Sequence, residues 1–390
     1  MSRSLRIFLC CQQDLRPHPV PAYRFWSGYF RGALAEAGHT CIEAPGCDWA
    51  EGLTVMEAQD RRRWREATWS RMLDWLGAEH RRQRVDLFIS YLYPNQVMPE
   101  GLATLRQWGI PTVNFFCDNV RLFRRAPAEY GLFSLNWIPE FGALSLYAAA
   151  GMATLHAPMP CWIAPQWRTV APSESLPATF IGTRDREREV LLGEAIDLGL
   201  RIDLRGTGWS GEEGVASGPP AGRGLTLVAN QVAYARQHGL YALGVKVLRK
   251  LAGPRGPARD FSANARPPCI GDDYWRVLRE CQVAIGINRF DHPRRISGRP
   301  PTYSRLRDIE APMAGAAYLT EHAPGLELLY EIGTEIETYR SAGELVEKAR
   351  ALSADPGRRR RLREAGQRRA LGDHSIARTV ERMARQLGVA

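Results

Sequence analysis

The chain has 390 residues, of which 45% are apolar and 24% are charged, a composition typical of folded globular proteins. This length suggests two domains of ordinary size, each long enough to bury a core. No apolar run reaches the ~18 residues that a membrane span needs, and no secretory signal precedes the first predicted strand. These features exclude membrane-spanning, fibrous and Sec-exported proteins, and we expect a cytoplasmic protein.

The net charge is +10, and nearly all of the 52 basic residues are arginines. Because guanidinium groups bind phosphate through paired hydrogen bonds, this charge suits a nucleotide, a nucleic acid or an anionic membrane surface. It also fits plain solubility. The eight cysteines form no C-x-x-C pair, so we expect reduced cysteines and no structural zinc.

Apolar strands alternate with helices in the first part of the chain. Strands are predicted at 5–11, 39–44, 85–90, 110–117, 133–137 and 153–156. Helices are predicted at 22–38, 56–82, 102–108 and 140–150. This alternation is typical of parallel βαβ units. A proline-rich stretch follows, formed by Pro158, Pro160, Pro165, Pro172 and Pro177. It cannot hold a long helix and indicates a linker.

The same alternation starts again after the linker. Strands are predicted at 178–181, 201–205, 281–287 and 316–319. Helices are predicted at 186–198, 228–251, 272–279, 305–314, 325–330, 343–353, 356–370 and 375–388, with loops at 211–224 and 252–268. The pattern predicts an α/β protein with two Rossmann-like, doubly wound domains facing a cleft, and such sheets bind ligands at the carboxyl ends of their strands.

The predicted domain bounds follow from this pattern. Residues 1–160 form an N-terminal Rossmann-like domain, 161–177 the proline-rich linker and 178–375 a C-terminal Rossmann-like domain. The last helix, 376–390, is expected to pack back on the N-terminal domain.

Residues 305–329 carry the most informative motif. Arg307 and Glu310 lie three residues apart and share one face of a predicted helix. A buried strand and a second helix follow, and the free N–H groups of Gly325 and Leu326 would begin that helix as an anion site. Near such a site, the carboxylate of Glu310 could bind ribose hydroxyls and the guanidinium of Arg307 could bind phosphate. The alternative is that the two residues form only an ordinary ion pair on the surface.

This segment resembles the C-terminal domain of CgeB-like glycosyltransferases, which are related to the group 1 (family-4) glycosyltransferases. Their R-x-x-E-A-x-A-x-G run matches Arg307, Glu310, Ala311 and Gly315, with Met313 and Ala314 between. Their P-G-L-E-x-L turn matches residues 324–329, and the tail E-A-G-Q-R-R-A-L-x-x-H-S of this chain, residues 364–375, is similar to their closing A-G-Q-R-R-V-L-R-E-H-T run. The resemblance is good over 270–375. It implies the GT-B fold and transfer of a sugar from a nucleoside-diphosphate sugar.

The resemblance also implies roles for single residues. Glu310 would bind the donor ribose, and Gly325 and Leu326 would donate amides to the diphosphate. Gly182 and Thr183 would line the same phosphates after a strand.

Two further positions bear on this donor site. Arg184 or Arg307 would supply the counter-charge to the phosphates. Related retaining enzymes carry a further glutamate eight residues before the ribose glutamate, and this chain has Thr302 there. This departure leaves the sugar and the stereochemistry open.

Asp118 is the candidate catalytic residue of the first domain. It ends the predicted strand 110–117, where a carboxylate can act as a base on an acceptor hydroxyl. The alternative is an aspartate that caps the next turn.

Further candidates lie in the basic loop after the strand 281–287. Arg289 and Arg294 are expected near the donor phosphates, or else in solvent on a mobile loop. Gly206 and Gly208 make half of a dinucleotide fingerprint, but no third glycine follows, which argues against NAD binding. No Asp-x-Asp pair is present, so we expect a metal-independent enzyme.

The sequence therefore predicts a glycosyltransferase that needs no cofactor, with a UDP-sugar as its expected donor. The acceptor hydroxyl stays open and includes that of a nucleic acid, which the positive charge would favour. The alternatives are a nucleotide-sugar epimerase on the same fold, and a non-catalytic protein that binds nucleotide sugars or assists assembly.

Overall fold

A computed structural model describes residues 3–18, 24–168, 173–210, 259–292, 295 and 298–389. The chain divides into two compact units. The first comprises Met1–Arg168, Ser304–Met313 and Arg368–Ala390, and the second comprises Thr169–Tyr303 and Ala314–Gln367. The predicted helix 228–251, the predicted loop 211–224 and Arg294 lie outside the described residues.

The first unit is built on a six-stranded parallel sheet. Its strands are β1 (Arg6–Cys10), β2 (Thr40–Ile42), β3 (Leu87–Ser90), β4 (Thr112–Phe115), β5 (Leu135–Ile138) and β6 (Thr154–His156). Their order in the sheet is β2-β1-β3-β4-β5-β6, and all pairs are parallel. This order reverses beside β1, as in doubly wound folds.

Helices cover this sheet. They are α1 (Arg24–Glu36), α2 (Ala58–Arg82), α3 (Pro99–Gln107), α4 (Asn119–Leu122) and α5 (Leu144–Ala149). α2 is polar over most of its surface but buries Trp69, Met72 and Leu76. The Trp69 ring stacks on Phe88 of β3, with ring centroids 6.4 Å apart. Burying such large apolar side chains stabilises the unit by roughly 1.5–3 kcal/mol each.

The second unit contains another six-stranded parallel sheet. Its strands are β7 (Ala178–Ile181), β8 (Ile202–Arg205), β9 (Ala265–Arg266), β10 (Ala284–Gly286), β11 (Tyr318–Glu321) and β12 (Glu337–Tyr339). Their order is β12-β11-β10-β7-β8-β9, all parallel. The order reverses between β7 and β10, which is the switch point of a Rossmann sheet.

The remaining helices complete both units. They are α6 (Arg186–Asp197), α7 (Asp272–Glu280), α8 (Arg307–Met313), α9 (Leu326–Leu329), α10 (Ala342–Ala354), α11 (Pro356–Asp373) and α12 (Ile376–Leu387). α8 and α12 belong to the first unit. α12 packs against α1, and the Arg382 side chain on it donates to the His156 carbonyl oxygen at 2.8 Å. Among the described residues, no helix is long and apolar enough to cross a membrane.

Among the described residues, several elements differ from the sequence prediction, and three of them have an instructive cause. β12 was not predicted, because it is short and contains Glu337, whose buried carboxylate is paired with Lys348 and Arg358. β9 falls in a stretch predicted as a loop, and its two residues pair with β8. The predicted helix 140–150 is a 3-10 turn, Phe141–Ala143, followed by α5.

Candidate active site

The switch point of the second sheet lies at the carboxyl ends of β7 and β10. Open α/β sheets bind their ligands at such a point. The predicted donor residues Gly182, Thr183 and Arg184 follow β7, and Arg289 follows β10. The structure therefore brings these four residues to the edge at which this type of sheet binds ligands.

The turn after β7 is held by the segment that follows β8. The N–H of Gly182 donates to the Arg205 carbonyl oxygen at 2.7 Å, and the N–H of Arg184 donates to that of Thr207 at 2.9 Å. The indole N–H of Trp209 donates to the Gly182 carbonyl oxygen at 2.7 Å. Both polar groups of Gly182 are thus used within the protein, which gives the turn a defined shape.

Gly206 permits this close packing. Its φ is +141°, and a Cβ there would lie 2.4 Å from the Gly182 carbonyl oxygen. We expect Gly206→Ala to lower the free energy of unfolding by about 2–4 kcal/mol, because backbone strain and overlap add together. Gly333→Ala is the matched control, since Gly333 has a φ of +90° but no atom within 4 Å of the added carbon. Urea unfolding compares the two variants, and equal losses would contradict the prediction.

Arg184 has its own partners in the second unit. Its guanidinium donates to the carbonyl oxygens of Gly208 at 3.3 Å and Arg259 at 3.1 Å. It also lies 3.0 Å from the carboxylate of Glu189. These contacts tie the turn after β7 to distant segments, and a counter-charge role toward phosphate stays a prediction. Thr183, in contrast, is exposed.

Arg289 forms a buried ion pair with Glu321. Their side chains are only 9% and 3% exposed, and the Arg289 guanidinium donates to Glu321 Oε1 at 2.6 Å and 2.9 Å. Glu321 Oε2 also accepts the N–H groups of Asn288 at 3.3 Å and Arg289 at 3.0 Å. The carboxylate thus holds both the side chain and the backbone after β10, and a contact of Arg289 with phosphate stays a prediction.

One further candidate, Thr302, and the neighbouring Arg295 also belong to this part of the chain. Thr302 forms an antiparallel bridge with Arg289, which places it next to the carboxyl end of β10. Arg295 forms an ion pair with Glu187, which is buried at the start of α6. The loop therefore contacts the helix that follows the Gly182 turn.

Gly325 and Leu326 follow β11. Gly325 has a φ of +88° and precedes α9, a helix of four residues. The N–H of Leu326 donates to the Ala323 carbonyl oxygen at 3.3 Å, and its side chain is buried. These residues lie on the carboxyl edge of the second sheet, and their contact with a diphosphate stays a prediction.

Glu310 is bound by two side chains of the first unit. It is 6% exposed, and its Oε1 accepts the Tyr29 hydroxyl at 2.6 Å. Its Oε2 lies 3.6 Å from Nε of Arg307, so the predicted pair on one helix face is present. The contact with Tyr29 on α1 was missed, because nothing in the local pattern at residue 29 indicates a partner so far along the chain.

Asp118 lies on the carboxyl edge of the first sheet, after β4. It precedes α4 in the left-handed conformation, with φ 66° and ψ 19°, and its side chain makes no capping hydrogen bond to that helix. The side chain is 31% exposed, and its carboxylate lies 3.9 Å from the Arg121 guanidinium. The structure therefore leaves a partly exposed carboxylate on this edge, and a role of Asp118 as a base stays a prediction.

Glu140 follows β5 and was missed by sequence reasoning. Its side chain is fully buried, and its Oε2 accepts the backbone N–H of Asn119 at 2.7 Å. The pKa of Glu140 is raised to about 8, and burial is the largest cause. The charge of Asp118 also raises this pKa, whereas hydrogen bonds from Asn119 and from the Asp118 backbone lower it. Its only sequence signal was its place at the start of the predicted helix 140–150, shortly after an apolar strand.

Metal-binding clusters are absent from the described part of the chain: no three His, Cys, Asp or Glu side chains there could hold an ion together.

A protein-family model described as glycosyl transferase-like matches residues 188–385, which is just over half of the chain. The chain belongs to this family. The match begins in α6 and includes β8 to β12 as well as the segment with Glu310. It confirms the predicted relationship to the group 1 glycosyltransferases.

Several solved glycosyltransferase structures have the same fold as this chain. Sucrose-phosphate synthase from Thermosynechococcus elongatus is 14% identical, with a TM-score of 0.54 and 99% of both chains covered. HepE from Anabaena, in complex with UDP, is 12% identical, with a TM-score of 0.54 and 99% of this chain and 100% of that chain covered.

A third solved structure is also similar to this chain. AviGT4, a glycosyltransferase involved in avilamycin A biosynthesis, is 16% identical, with a TM-score of 0.55 and 99% of both chains covered. These likenesses confirm the predicted GT-B fold with its two Rossmann-like sheets. No curated protein matches the chain.

Proposed function

We propose that this chain transfers a sugar from a UDP-sugar to an acceptor hydroxyl. The observation that carries the proposal is the glycosyl transferase-like match over residues 188–385. Structures of the similarly folded HepE contain UDP or UDP-glucose, which supports UDP as the nucleotide. The family match gives no support to the epimerase or to the non-catalytic alternative. Within the family, the motifs of 305–329 favour the CgeB-like group.

The donor is proposed to bind at the switch point of the second sheet. The exposed Thr183 lies there on a turn of defined shape. The turn at Gly325 follows the carboxyl end of β11, the strand next to β10. Glu310 is proposed to bind the ribose. In support, its carboxylate already accepts one hydroxyl, that of Tyr29, at 2.6 Å, and a ribose hydroxyl donates in the same way.

Asp118 is proposed to be the base. Its carboxylate would take the proton from the acceptor hydroxyl while that oxygen forms a bond to the anomeric carbon of the sugar. The bond from this carbon to the diphosphate breaks, and UDP leaves with the electron pair. Arginine and backbone N–H groups would stabilise the charge that develops on the phosphates. We propose that this needs no divalent cation.

A thermal-shift panel tests the donor site. We expect one of UDP, GDP, dTDP, ADP and CMP, with UDP the first choice, to raise the Tm of the wild type. A ligand at about 100 times its Kd adds roughly 2.7 kcal/mol to stability. Glu310→Ala should lose most of this shift, and EDTA should not change it.

Tyr29→Phe is the matched control for that panel. It removes the hydroxyl that Glu310 Oε1 binds but keeps the carboxylate, so it should retain the nucleotide shift. A wild type that none of the five nucleotides stabilises would contradict the proposed function. An equal shift in Glu310→Ala would contradict the ribose contact alone.

A further inference from the structure

Two carboxyl groups lie side by side on the carboxyl edge of the first sheet. β4 and β5 are adjacent and parallel, with Phe115 opposite Trp137. Asp118 follows the first of these strands and Glu140 follows the second. The pairing of the strands therefore brings the candidate base next to a second acidic residue.

The two groups differ in exposure. Asp118 is 31% exposed, whereas Glu140 is 0% exposed. Glu140 Oε1 has no hydrogen-bond partner among the described residues, while Oε2 accepts the N–H of Asn119 at 2.7 Å. A buried carboxylate without a cation is strongly disfavoured, so the group is held as the neutral acid.

The surroundings of Glu140 agree with a neutral acid. The groups with the largest effect on it are Asp118 and Asn119, and it acts in turn on the thiol of Cys117 and the hydroxyl of Tyr147. None of these side chains is a cation. Burial is the largest cause that raises the pKa of Glu140 to about 8.

Glu140 also fixes the backbone around Asp118. Three hydrogen bonds anchor Asn119. Its backbone N–H donates to Glu140, and its side-chain amide donates to the Phe116 carbonyl oxygen at 2.8 Å. Its Oδ1 accepts the Tyr147 hydroxyl at 2.7 Å. Asp118 directly precedes this anchored residue and has the left-handed conformation, which aspartate adopts more often than most residues but which still costs free energy.

We propose that Glu140 is a positioning residue for Asp118: as a buried neutral acid it anchors the turn after β4, so that Asp118 is the carboxylate that carries the negative charge there. This inference rests on the proposed function of Asp118 as the base. Loss of the Glu140 proton would place a second, poorly solvated negative charge beside Asp118, and repulsion between the two carboxylates would displace that of Asp118, which lowers activity.

The test compares pH profiles of UDP release from UDP-glucose between pH 6 and pH 9.5. The wild type should lose activity as the pH rises past about 8. Glu140→Gln keeps one acceptor and one donor in the shape of the protonated acid, so its activity at pH 7 should stay within about threefold of the wild type and should not fall at high pH. Glu140→Ala should lose roughly 10- to 100-fold at pH 7, because the turn is displaced.

Controls separate this inference from the proposed function. Asp118→Asn should lose about 100-fold or more at every pH, because it removes the base. Glu129→Gln, in the neighbouring segment of the same unit, should behave as the wild type. A Glu140→Gln profile that falls above pH 8 like that of the wild type would overturn the inference, as would full activity in Glu140→Ala.

A second measurement needs no activity. Hydrogen exchange of the Asn119 amide, followed with ¹⁵N-asparagine labelling, should stay slow in Glu140→Gln and become at least tenfold faster in Glu140→Ala. If the wild type releases no UDP, the proposed function fails while this exchange still reports on the anchoring. Equal exchange in both variants would show that Glu140 does not hold the turn.

Discussion

Between pH 5 and pH 8, wild-type protein should lose on the order of 4 kcal/mol more stability than the Glu140→Gln variant. The folded protein keeps the Glu140 proton up to about pH 8, whereas the ordinary pKa of the group is 4.5. Between these values unfolding releases a proton, so rising pH favours the unfolded chain. The stabilisation is complete below pH 4.5 and is lost as the pH rises through 8.

Urea unfolding at four pH values from 5 to 8 measures this difference. Glutamine does not titrate, so the Glu140→Gln variant removes this one contribution and keeps those of all other groups. Because the chain has two compact units, separate transitions are fitted where they are resolved. Glu129→Gln should follow the wild type. Parallel stability curves for the wild type and Glu140→Gln would mean that Glu140 is ionised in the folded protein.

The fold was predictable because its strands have strong local signals. Residues 178–181 are mostly apolar, lie between a proline and a glycine, and form β7 at the bounds that the sequence indicated. β12 lacked such a signal. Its Glu337 is buried only because Lys348 and Arg358 reach it from other elements, and such partners are fixed by the tertiary structure rather than by local pattern.

The candidate site shows the same division. Motifs placed Gly182, Arg184 and Arg289 at the ends of the correct strands, because strand ends can be read from the sequence. They did not show which partners the charged side chains of Arg184 and Arg289 contact. Arg184 contacts Arg259, 75 residues away, and Arg289 contacts Glu321, 32 residues away. Such contacts depend on which strands pair, and a single sequence does not give this order.

Glu140 illustrates why a functional residue can be missed. As part of a sequence it begins an apparent helix, and its acidic side chain fits the first turn of a helix. Its structural importance comes from the pairing of β4 with β5, which places its carboxyl group against the Asn119 amide. Glutamate usually lies on the surface, but this strand pairing buries Glu140.

Removing the charge of Glu321 should be among the most damaging single changes in the second unit. Glu321→Gln leaves the 9%-exposed Arg289 side chain without its counter-ion, and such a loss costs about 3–5 kcal/mol. Glu280→Gln is the matched control, since its pair with Arg276 is more exposed and is worth about 0.2–1 kcal/mol. Urea unfolding of both variants measures the contrast.

A double variant measures how strongly Arg289 and Glu321 depend on each other for stability. Arg289→Met combined with Glu321→Gln should recover part of the lost stability, because no uncompensated charge then remains buried. A Glu321→Gln variant as stable as Glu280→Gln would mean that Arg289 reaches solvent or other partners with ease. A large coupling instead means that the pair between Arg289 and Glu321 itself stabilises the loop after β10.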